Sequence, residues 1–442
     1  MTINLFKKII EARQFYKDDN PLLCDGDKTI FLNDLIKKEI DFIKQIPKRS
    51  VVAIVGDFNI FSITCVIQLL SNGQIVVPLT SETNSQHSYF LEVSKSDYLI
   101  KGNALINIKN KDLQKNNHLE DLKKNGNGGI VFFSTGTTGK PKAILHSLER
   151  FLMPFKNRKS EHKSIGFLLF DHIGGFNTLF HLLFNNGTLY KTNSRNVDEV
   201  LNIIQKNNLS LLPTTPTFLR ILICHKDFPK NIPSCLSTIS YGTEIMHDST
   251  LKILSNSLPK IKFKQTYGMS ELGILPVRSK SSQSTEITIK KTNAVDWIID
   301  SNSILKIRSD YSMIGYLNAP NPFDKDGWLD TGDVASTTED SFFRIIGRNK
   351  SFINVGGLKV LPSEIETVSN DYKNVLRSKA KGIKNPIIGE YIELTIELSN
   401  KCESSFSKKD FKKYLSQNLS QNKIPSSIKI GTIELSHRMK QS

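Results

Sequence analysis

The chain has 442 residues, of which 38% are hydrophobic and 23% are charged, and these values exclude a disordered, collagenous or fibrous protein. Its 59 Lys and Arg residues outnumber 43 Asp and Glu, for a formal net charge of +16. Residues 350–442 hold 16 of the basic and nine of the acidic residues, so close to half of the excess lies in the last fifth of the chain. The lysines form no run of five and are not interleaved with aromatic residues, so we expect no nucleic-acid partner.

Five cysteines at unrelated spacings, without a Cys-x-x-Cys pair or a Cys/His cluster, favour free thiols in a reducing compartment over disulfides or a zinc site. Residues 1–10 lack an apolar core long enough for a signal peptide. The longest apolar stretch, 165–184, is interrupted by Asp171, His172, Asn177 and His181, so we expect no membrane-spanning segment. We therefore expect a cytoplasmic protein.

Strand and helix patterns alternate along the first 120 residues. Apolar residues three and four apart predict helices over 32–46 and 58–70, and β-branched runs predict buried strands at 50–56 and 74–79. This order of strand, helix and strand is typical of the βαβ units of a parallel sheet. The Lys/Asn/Gly-rich segment 107–129 is expected to be a solvated loop or a surface helix.

The same alternation continues further along the chain, with strands predicted at 129–134, 165–170, 209–213 and 238–242 and a helix at 197–206. Beyond residue 286 the patterns are those of strands, at 286–289, 297–300 and 303–308. The last part has a strand at 392–398 and a helix at 408–419. We therefore predict an α/β protein, with a large N-terminal body that includes a β-rich subdomain and a small C-terminal α+β domain.

Residues 134–142, Ser-Thr-Gly-Thr-Thr-Gly-Lys-Pro-Lys, follow an apolar strand and have the composition of a polyphosphate-binding loop. The glycines allow a tight turn whose N–H groups point at a ligand, and hydroxyls and lysines add donors. Only two residues separate the glycines and Pro141 follows Lys140, so this is not a Walker A loop. The candidate nucleotide-binding residues are Ser134, Thr135, Gly136, Thr137, Thr138 and Lys142.

Residues 265–271, Gln-Thr-Tyr-Gly-Met-Ser-Glu, combine groups that suit a nucleotide. The Tyr267 ring can stack on a purine, and Gly268 permits close approach. The Ser270 hydroxyl can donate to an α-phosphate, and Glu271 offers a hard oxygen to Mg²⁺. The alternative is a turn at the end of a sheet with an exposed Glu.

These segments, with others that follow the same order along the chain, resemble the motifs of the adenylate-forming superfamily. That superfamily includes acyl-CoA and aryl-CoA synthetases, peptide-synthetase adenylation domains and beetle luciferases. The resemblance covers the whole chain, although the chain is shorter than most members and abbreviated between Glu271 and Gly315. It implies a small mobile C-terminal domain.

Residues 171–178 resemble the acid-pocket segment of the superfamily, which implies that His172 borders the carboxylate of the substrate. A histidine beside an apolar run is, by itself, more typical of a core residue. Phe170, Phe176 and Phe180 suggest an apolar pocket, but their near-helical spacing is more typical of core residues. The sequence leaves the acid itself open.

Residues 240–244 resemble the strand end that lies along the adenine, which implies binding residues Gly242, Thr243 and Glu244. Residues 327–333, Gly-Trp-Leu-Asp-Thr-Gly-Asp, are similar to the ribose element. A carboxylate such as Asp333 can accept hydrogen bonds from both ribose hydroxyls.

Residues 347–366 resemble the hinge and the first strand pair of the C-terminal domain. The resemblance implies that Arg348 holds the ribose, that Lys350 is the hinge residue, and that Gly356 and Gly357 line the approach of the thiol. We therefore expect an AMP-binding domain over 1–349 and a small domain over 350–442.

Two positions depart from the family pattern. Asn354 stands where members often carry a Lys that contributes to the second half-reaction. Lys440 best matches the Lys that stabilises the adenylation transition state, but Met439 replaces the usual Gly before it.

The resemblance implies that a carboxylic acid attacks Mg·ATP to give acyl-AMP and pyrophosphate, and that CoA then displaces AMP. The catalytic residues would be Lys440, Glu271, Ser270 and His172, with Glu271 on the metal. One alternative acceptor is the phosphopantetheine arm of a carrier protein, possibly with an amino acid as substrate, since Phe170-Asp171 superficially echoes amino-acid adenylation domains. A non-catalytic nucleotide-binding relative is the other alternative, and the intact Glu271, Asp333 and Arg348 argue against it.

Overall fold

The computed structural model describes residues 4–16, 19–38, 40–108, 116–134, 140–156, 160–337, 341–385, 389–398 and 406–435. The first elements are α1 (Leu5–Arg13), β1 (Leu23–Asp25), β2 (Lys28–Ile30), α2 (Leu32–Lys37), α3 (Asp41–Lys44), β3 (Val51–Val55), α4 (Ile60–Ser71), β4 (Ile75–Leu79), α5 (His87–Val93), β5 (Tyr98–Lys101), β6 (Ala104–Asn107), α6 (Asn117–Asn125) and β7 (Gly129–Phe133). The next are β8 (Ala143–Ser147), α7 (Leu148–Leu152), β9 (Lys163–Ile165), α8 (Ile173–Phe184), β10 (Thr188–Tyr190), α9 (Val197–Lys206), β11 (Leu211–Thr214), α10 (Pro216–Ile223), β12 (Thr238–Tyr241), α11 (Asp248–Ser257) and β13 (Lys262–Gln265).

The β-rich part that follows contains β14 (Gly268–Met269), β15 (Gly273–Ile274), β16 (Val277–Ser279), β17 (Ile287–Ile289), β18 (Val295–Ile299), β19 (Ile304–Ser309), β20 (Gly315–Tyr316), β21 (Leu329–Thr337) and β22 (Phe343–Arg348). The last elements are β23 (Ile353–Val355), β24 (Leu358–Val360), α12 (Pro362–Asp371), β25 (Val375–Asn385), β26 (Gly389–Leu398), α13 (Lys408–Asn418) and β27 (Ser427–Ile430). Among the described helices, none combines the length and the apolar character needed to cross a membrane.

Two sheets form the framework of the N-terminal body. The first has the order β13-β12-β11-β9-β10-β1-β2, in which β9 to β13 and β1 pair in parallel and β2 closes one edge antiparallel. The second has the order β20-β8-β7-β4-β3-β5-β6, with parallel pairs in its centre and antiparallel pairs toward both ends. Strands such as β3 and β4 are apolar along their length because helices cover both faces of the sheet.

One hydrophobic core joins both sheets through α1, α4 and α8. Phe170, Phe176 and Phe180 are fully buried in this core, and the Phe176 ring packs edge-on against Phe132 of β7 at a centroid distance of 5.3 Å. The alternative reading of these three phenylalanines as the lining of an apolar pocket is therefore wrong. Their burial fixes which face of α8 turns away from the core.

Most predicted elements are confirmed, including the helix at 197–206 as α9 and a surface helix, α6, within 107–129. The strand predicted at 165–170 ends at Ile165. Beyond it, Phe167 and Phe170 enter separate cores and the segment leaves the sheet.

The helix predicted over 32–46 is divided into α2 and α3. Lys38 leaves the helical conformation, with ψ at 86°, and its carbonyl oxygen accepts from the Gln68 side chain of α4. This bond to a neighbouring helix replaces the one that a continuous helix would make.

Two smaller sheets and the two-stranded pair β14-β15 complete the fold. The first, of order β16-β17-β22-β21-β19-β18, is antiparallel and confirms the predicted β-rich part of the body. The second contains β24-β23-β26-β25, with β27 beside β26, and its core includes Phe411 and Leu415 of α13. Together with α12 and α13 it forms the small α+β unit expected at the C-terminus. We propose Lys350, between β22 and β23, as the boundary of this unit.

A buried arginine ties the small unit to the body. The Arg220 guanidinium, on α10, donates from Nε to the Leu376 carbonyl oxygen at 2.9 Å. Its terminal nitrogens donate to the carbonyl oxygens of Val375, at 2.8 Å, and Asn370, and to the Thr250 hydroxyl. Because this side chain is 9% exposed, the contact is shielded from water.

Replacing Arg220 by Met should lower the free energy of unfolding, since buried carbonyl oxygens lose a charged donor whose hydrogen bonds are worth about 1.5–3 kcal/mol each. Chemical denaturation of the purified protein measures the change. Arg308→Met is the matched control, because Arg308 is half-exposed, its ion pair with Asp296 spans 3.8 Å, and such pairs contribute about 0–1 kcal/mol. Equal losses in the two variants would contradict the anchoring role of Arg220.

Candidate active site

The candidate site begins where β12 and β13 end side by side. The two strands are parallel, with Tyr241 opposite Gln265, so Gly242 and Thr266 follow at the same edge of the sheet. The Thr266 N–H donates to the Tyr241 carbonyl oxygen at 2.7 Å. A Cβ atom at Gly242 would lie 2.7 Å from the Thr266 carbonyl oxygen, so this close approach requires glycine.

Asp333 connects three parts of the site. Its Oδ2 accepts from the Tyr267 hydroxyl at 2.6 Å, and its Oδ1 lies 2.8 Å from Arg348 Nε. Asp333 and Arg348 face each other across β21 and β22. Burial raises the pKa of Asp333, and Arg348 and the Tyr267 hydroxyl only partly oppose this rise. The sequence-predicted residues Tyr267, Asp333 and Arg348 are thus brought into direct contact.

Glu271 lies beside a tyrosine to which the sequence analysis gave no role. The Tyr316 hydroxyl donates to Glu271 Oε1 at 2.7 Å, and burial together with this carboxylate raises the pKa of Tyr316 well above its usual range. Lys142 Nζ lies 4.6 Å from the centroid of the Tyr316 ring, a cation–π distance. The Tyr316 ring therefore links the end of the predicted phosphate loop to the predicted metal ligand.

Ser134 and Lys142 close the base of that loop. The Ser134 N–H donates to the Lys142 carbonyl oxygen at 3.0 Å, and the Lys142 N–H donates to the Ser134 hydroxyl oxygen at 3.1 Å. Thr135, Gly136, Thr137 and Thr138 lie outside the described residues, as does Lys440, so their roles stay predictions.

A buried histidine that the sequence analysis missed supports the segment carrying Ser270. His146, on β8, is fully buried and contacts the rings of Phe132 and Phe151. Its Nε2 lies 2.6 Å from the Ser270 carbonyl oxygen, which can only accept, so Nε2 carries the proton. Burial lowers the pKa of His146 to about 4, so the ring is neutral near pH 7. The sequence gives little indication of this role for His146, because the residue stands in an apolar strand pattern and in no motif.

His172 caps the start of α8 and faces a cavity of about 700 Å³. Its Nδ1 accepts from the Gly174 N–H at 3.0 Å, which puts the proton of the neutral ring on Nε2. Tyr267 and Thr243 line the same cavity, so the predicted acid-binding and nucleotide-binding segments share one space.

Glu244 has a structural partner of its own. Its carboxylate accepts from the N–H and the hydroxyl of Thr217, at 3.2 and 3.0 Å, at the start of α10. The positive end of the helix dipole favours a carboxylate there. Glu244 therefore holds α10 beside the end of β12, and its place along an adenine stays a prediction.

The small unit contributes a second carboxylate close to Glu244. Glu366, on α12, accepts from the Ala380 N–H at 2.9 Å. Burial raises the pKa of Glu366 to about 7, and the Glu244 carboxylate acts in the same direction, against Ala380 and Lys379. In the sequence, Glu366 is only the last residue of the segment 347–366.

The residues predicted to line the approach of the thiol lie in a tight hairpin. Gly356 and Gly357 form the turn between β23 and β24, both with positive φ (57° and 86°), which a two-residue hairpin of this kind requires. The Asn354 N–H donates to Glu390 Oε2 at 2.7 Å. Lys350 lies exposed in a single helical turn between β22 and β23. The hinge and thiol roles stay predictions.

The donor set around Glu271 suits magnesium that arrives with a nucleotide. Within the described part of the chain, no group of three or more His, Cys, Asp and Glu residues could hold a metal ion. Mg²⁺, however, is often held by one or two carboxylates together with substrate phosphates. A single carboxylate near the base of a phosphate loop fits that pattern.

The family model described as AMP-binding enzyme matches residues 45–310. The medium/long-chain-fatty-acid–acyl-carrier-protein ligase FadD10 of Mycobacterium tuberculosis (strain ATCC 25618 / H37Rv) is 25% identical over 311 residues, 62% of this chain and 57% of that protein. The 4-coumarate-CoA ligase 1 of Narcissus pseudonarcissus is 24% identical over 320 residues, 64% of this chain and 58% of that protein. The chain thus spans less than three fifths of the length of these curated relatives.

Solved structures agree over the full chain. The anthranilate CoA ligase AuaEII, in complex with anthranoyl-AMP, aligns with a TM-score of 0.83 and 14% identity over 100% of this chain and 95% of that chain. The o-succinylbenzoate CoA synthetase MenE of Bacillus subtilis aligns with a TM-score of 0.74 and 16% identity over 99% and 96%. The predicted fold is confirmed, and identities this low carry the fold alone.

Replacing His146 by Leu should lower the free energy of unfolding by about 1–3 kcal/mol, because the partly buried Ser270 carbonyl oxygen loses its donor. His146→Gln is the matched variant, since its side-chain amide keeps an N–H donor of similar reach. Urea denaturation compares the two. A Leu variant as stable as the wild type would contradict the supporting role of His146.

The pKa of Glu366, raised to about 7 from its ordinary 4.5, makes stability depend on pH. Between these values the folded protein retains a proton that the unfolded chain releases, so this group's contribution is present below pH 4.5 and is lost as the pH rises through 7.

Glu366→Gln should remove that part of the pH dependence, about 1–3 kcal/mol between pH 5 and 8, since one pKa unit corresponds to about 1.4 kcal/mol. The measurement is the free energy of unfolding of both proteins at each pH. Glu364→Gln, on the same helix and paired with Lys423, serves as control. Parallel pH profiles for the wild type and Glu366→Gln would contradict the raised pKa.

Proposed function

Because the chain belongs to the AMP-binding enzyme family, we propose that it activates a carboxylic acid with ATP and transfers the acyl group to the thiol of CoA. In the first step a carboxylate oxygen attacks the α-phosphorus of ATP, and the bond to pyrophosphate breaks. In the second, the thiol sulfur attacks the acyl carbon and AMP leaves. The observation that carries this proposal is the contact of Tyr267, Asp333 and Arg348 beside the cavity that Tyr267 and His172 line.

The nucleoside would be held at Asp333. Each oxygen of its carboxylate accepts one hydrogen bond from the protein and has a lone pair left for a ribose hydroxyl. Arg348 and Tyr267 fix the carboxylate before the nucleotide arrives, so little orientation is lost on binding. Tyr267 then presents its ring to the base while its hydroxyl stays on Asp333.

The triphosphate would lie between the loop 134–142 and Glu271. Mg²⁺, held by Glu271 and the phosphates, would neutralise negative charge and polarise the reacting phosphoryl group. Tyr316 keeps the Glu271 carboxylate oriented, and Lys142 stays close through the Tyr316 ring. The chain's work in this step is positioning and charge neutralisation.

The acid would enter the cavity with its carboxylate toward His172. The neutral His172 ring carries its proton on Nε2, so it can donate a hydrogen bond without adding a full charge. His146 donates a hydrogen bond to the Ser270 carbonyl oxygen and so fixes the main chain there. This contact supports the position proposed for the Ser270 hydroxyl near the α-phosphate.

The thiol would approach past the Gly356–Gly357 turn. The excess of basic residues over 350–442 favours an anionic acceptor, which fits the phosphates of CoA. An acidic carrier protein with a phosphopantetheine arm is the second candidate, and the carrier-protein ligase FadD10 among the relatives favours testing it.

The purified protein should catalyse exchange of pyrophosphate into ATP only when a suitable acid is present. Glu271→Gln should lower the exchange rate by about two to three orders of magnitude, the usual loss for one charge-stabilising group. Glu120→Gln, a surface carboxylate on α6 near Lys123, should exchange like the wild type. The measurement is the incorporation of radioactive pyrophosphate into ATP in the presence of each acid of a panel of carboxylic acids.

Exchange with none of the acids would contradict the proposal and favour a non-catalytic nucleotide-binding protein. If exchange occurs and a thioester forms with a phosphopantetheinylated carrier protein but not with CoA, the acceptor is the carrier protein and not CoA. Thioester formation is read by mass spectrometry of the products.

A further inference from the structure

The end of the predicted phosphate loop is held by side chains from distant parts of the chain. Residues 140–143 form the loop exit, which leads from the loop 134–142 into β8. The edge strand β20 pairs with β8 directly beyond the loop exit, and the Leu317 N–H donates to the Ala143 carbonyl oxygen at 2.9 Å. The position of the loop exit therefore depends on the segment that contains β20.

The Asn318 side chain makes three contacts at the loop exit. Its Oδ1 accepts from the Ala143 N–H at 2.9 Å, and its Nδ2 donates to the Pro141 carbonyl oxygen and to the Tyr89 hydroxyl oxygen, each at 3.0 Å. A main-chain N–H can only donate and a carbonyl oxygen can only accept, so these partners fix the orientation of the amide. Asn318 thus binds the main chain on both sides of Lys142.

Tyr89, on α5, reaches the same carbonyl group. Its hydroxyl donates to the Pro141 carbonyl oxygen at 3.0 Å, so this oxygen accepts two hydrogen bonds, one for each lone pair. Pro141, Tyr89 and Asn318 therefore form a closed triangle of hydrogen bonds. α5 itself is held by Phe90, whose buried ring stacks on Phe133 at the end of β7, with 4.0 Å between the ring centroids.

Both lysines of the loop exit lie against tyrosine rings. Lys140 Nζ is 5.6 Å from the centroid of the Tyr89 ring, and Lys142 Nζ is 4.6 Å from that of the Tyr316 ring. Both distances fall within the range of cation–π contacts, about 6 Å. Because the two tyrosine hydroxyls are bonded to Pro141 and to Glu271, each ring offers its lysine a fixed surface.

The segment that carries Asn318 also holds Glu271. The Met313 N–H donates to the Glu271 carbonyl oxygen at 2.8 Å, and the Tyr316 hydroxyl donates to its carboxylate at 2.7 Å. Met313 and Tyr316 are buried, so these contacts are shielded from water. Residues 313–318 therefore contact the proposed magnesium ligand at one end and the loop exit at the other, and they set the spacing between the two.

We propose that Asn318 and Tyr89 are positioning residues for the triphosphate, which fix the loop exit and its two lysines opposite Glu271 before ATP binds. This assignment rests on the proposed function, because it takes the loop 134–142 to bind the phosphates of ATP. Asn318 and Tyr89 act through the main chain of the loop exit and require no contact with the nucleotide. A main chain that is ordered in advance does not have to be ordered on binding, so the affinity for the triphosphate is higher.

The test compares the binding of ATP and AMP, each with Mg²⁺, by isothermal titration. Asn318→Ala should weaken ATP binding about tenfold, the factor for ordering one main-chain residue, and leave AMP binding within about twofold. AMP lacks the β- and γ-phosphates, and its nucleoside would be held at Asp333. Asn318 is exposed, so its replacement leaves the packing of the core unchanged. Unchanged ATP binding, or an equal loss for both nucleotides, would overturn the proposal.

Further variants locate the effect. Tyr89→Phe removes the hydroxyl and keeps the ring beside Lys140, so ATP binding should weaken about two- to tenfold, the range for one hydrogen bond. Both side chains hold the same carbonyl oxygen, so the double variant should lose less than the product of the two single losses. A loss equal to that product would overturn the joint role of Asn318 and Tyr89.

Asn321→Ala is the matched control. Asn321 is an exposed asparagine three residues after Asn318, and its side chain accepts from the Phe323 N–H at 3.3 Å. This variant should bind ATP and AMP like the wild type. An ATP-specific loss as large as that of Asn318→Ala would overturn the assignment to Asn318.

Nucleotide binding separates this proposal from the proposed function, because the titration requires neither an acid nor a thiol. A loss in Asn318→Ala that is confined to ATP would support the positioning role even if no acid supported pyrophosphate exchange. Where exchange occurs, the same variant should raise the KM for ATP about tenfold and change kcat less. A wild-type KM for ATP in Asn318→Ala would overturn the positioning role and leave the proposed function intact.

Discussion

The ion pair of Asp333 and Arg348 joins the last two strands of the body to the segment that carries Tyr267, because the same carboxylate accepts a hydrogen bond from the Tyr267 hydroxyl. A carboxylate buried to this degree is stable only when its oxygens are satisfied, and here both are. The contact fixes the register of β21 and β22 next to the site. It also fixes the position of the end of β22, from which the chain continues to Lys350 and the small unit.

Much of the fold and several site residues could be predicted because the information was local. α9 has a strong apolar stripe and a capping Asn196, so its bounds follow from neighbouring residues. Tyr267, Asp333 and Arg348 lie in motifs that are continuous in sequence. What the buried face of a helix packs against depends, by contrast, on distant parts of the chain. The spacing of Phe176 and Phe180 favours a core over a pocket, and the second sheet that covers them decides for the core.

The residues that sequence reasoning missed act over long separations. His146 supports Ser270 from 124 residues away, and Tyr316 orients Glu271 from 45 residues away. His146 and Tyr316 carry no local signal, since each is an ordinary strand residue by its sequence pattern, whereas their partners lie in a recognisable motif. Glu366 owes its raised pKa to the packing of α12 near Glu244, on another part of the chain. Side-chain chemistry of this kind appears only once the topology has brought the elements together.

The anchor at Arg220 has a consequence for how the sequence can vary. Its acceptors in the small unit are main-chain oxygens, at residues 370, 375 and 376, and main-chain oxygens are present whatever side chain a position carries. Substitutions at these three positions therefore leave the acceptors in place. Insertions or deletions between α12 and β25 would move them. The joint with Arg220 thus depends on the length of the connecting loop and on one arginine, whereas the side chains of Asn370 and Val375 are constrained by their own burial in the small unit.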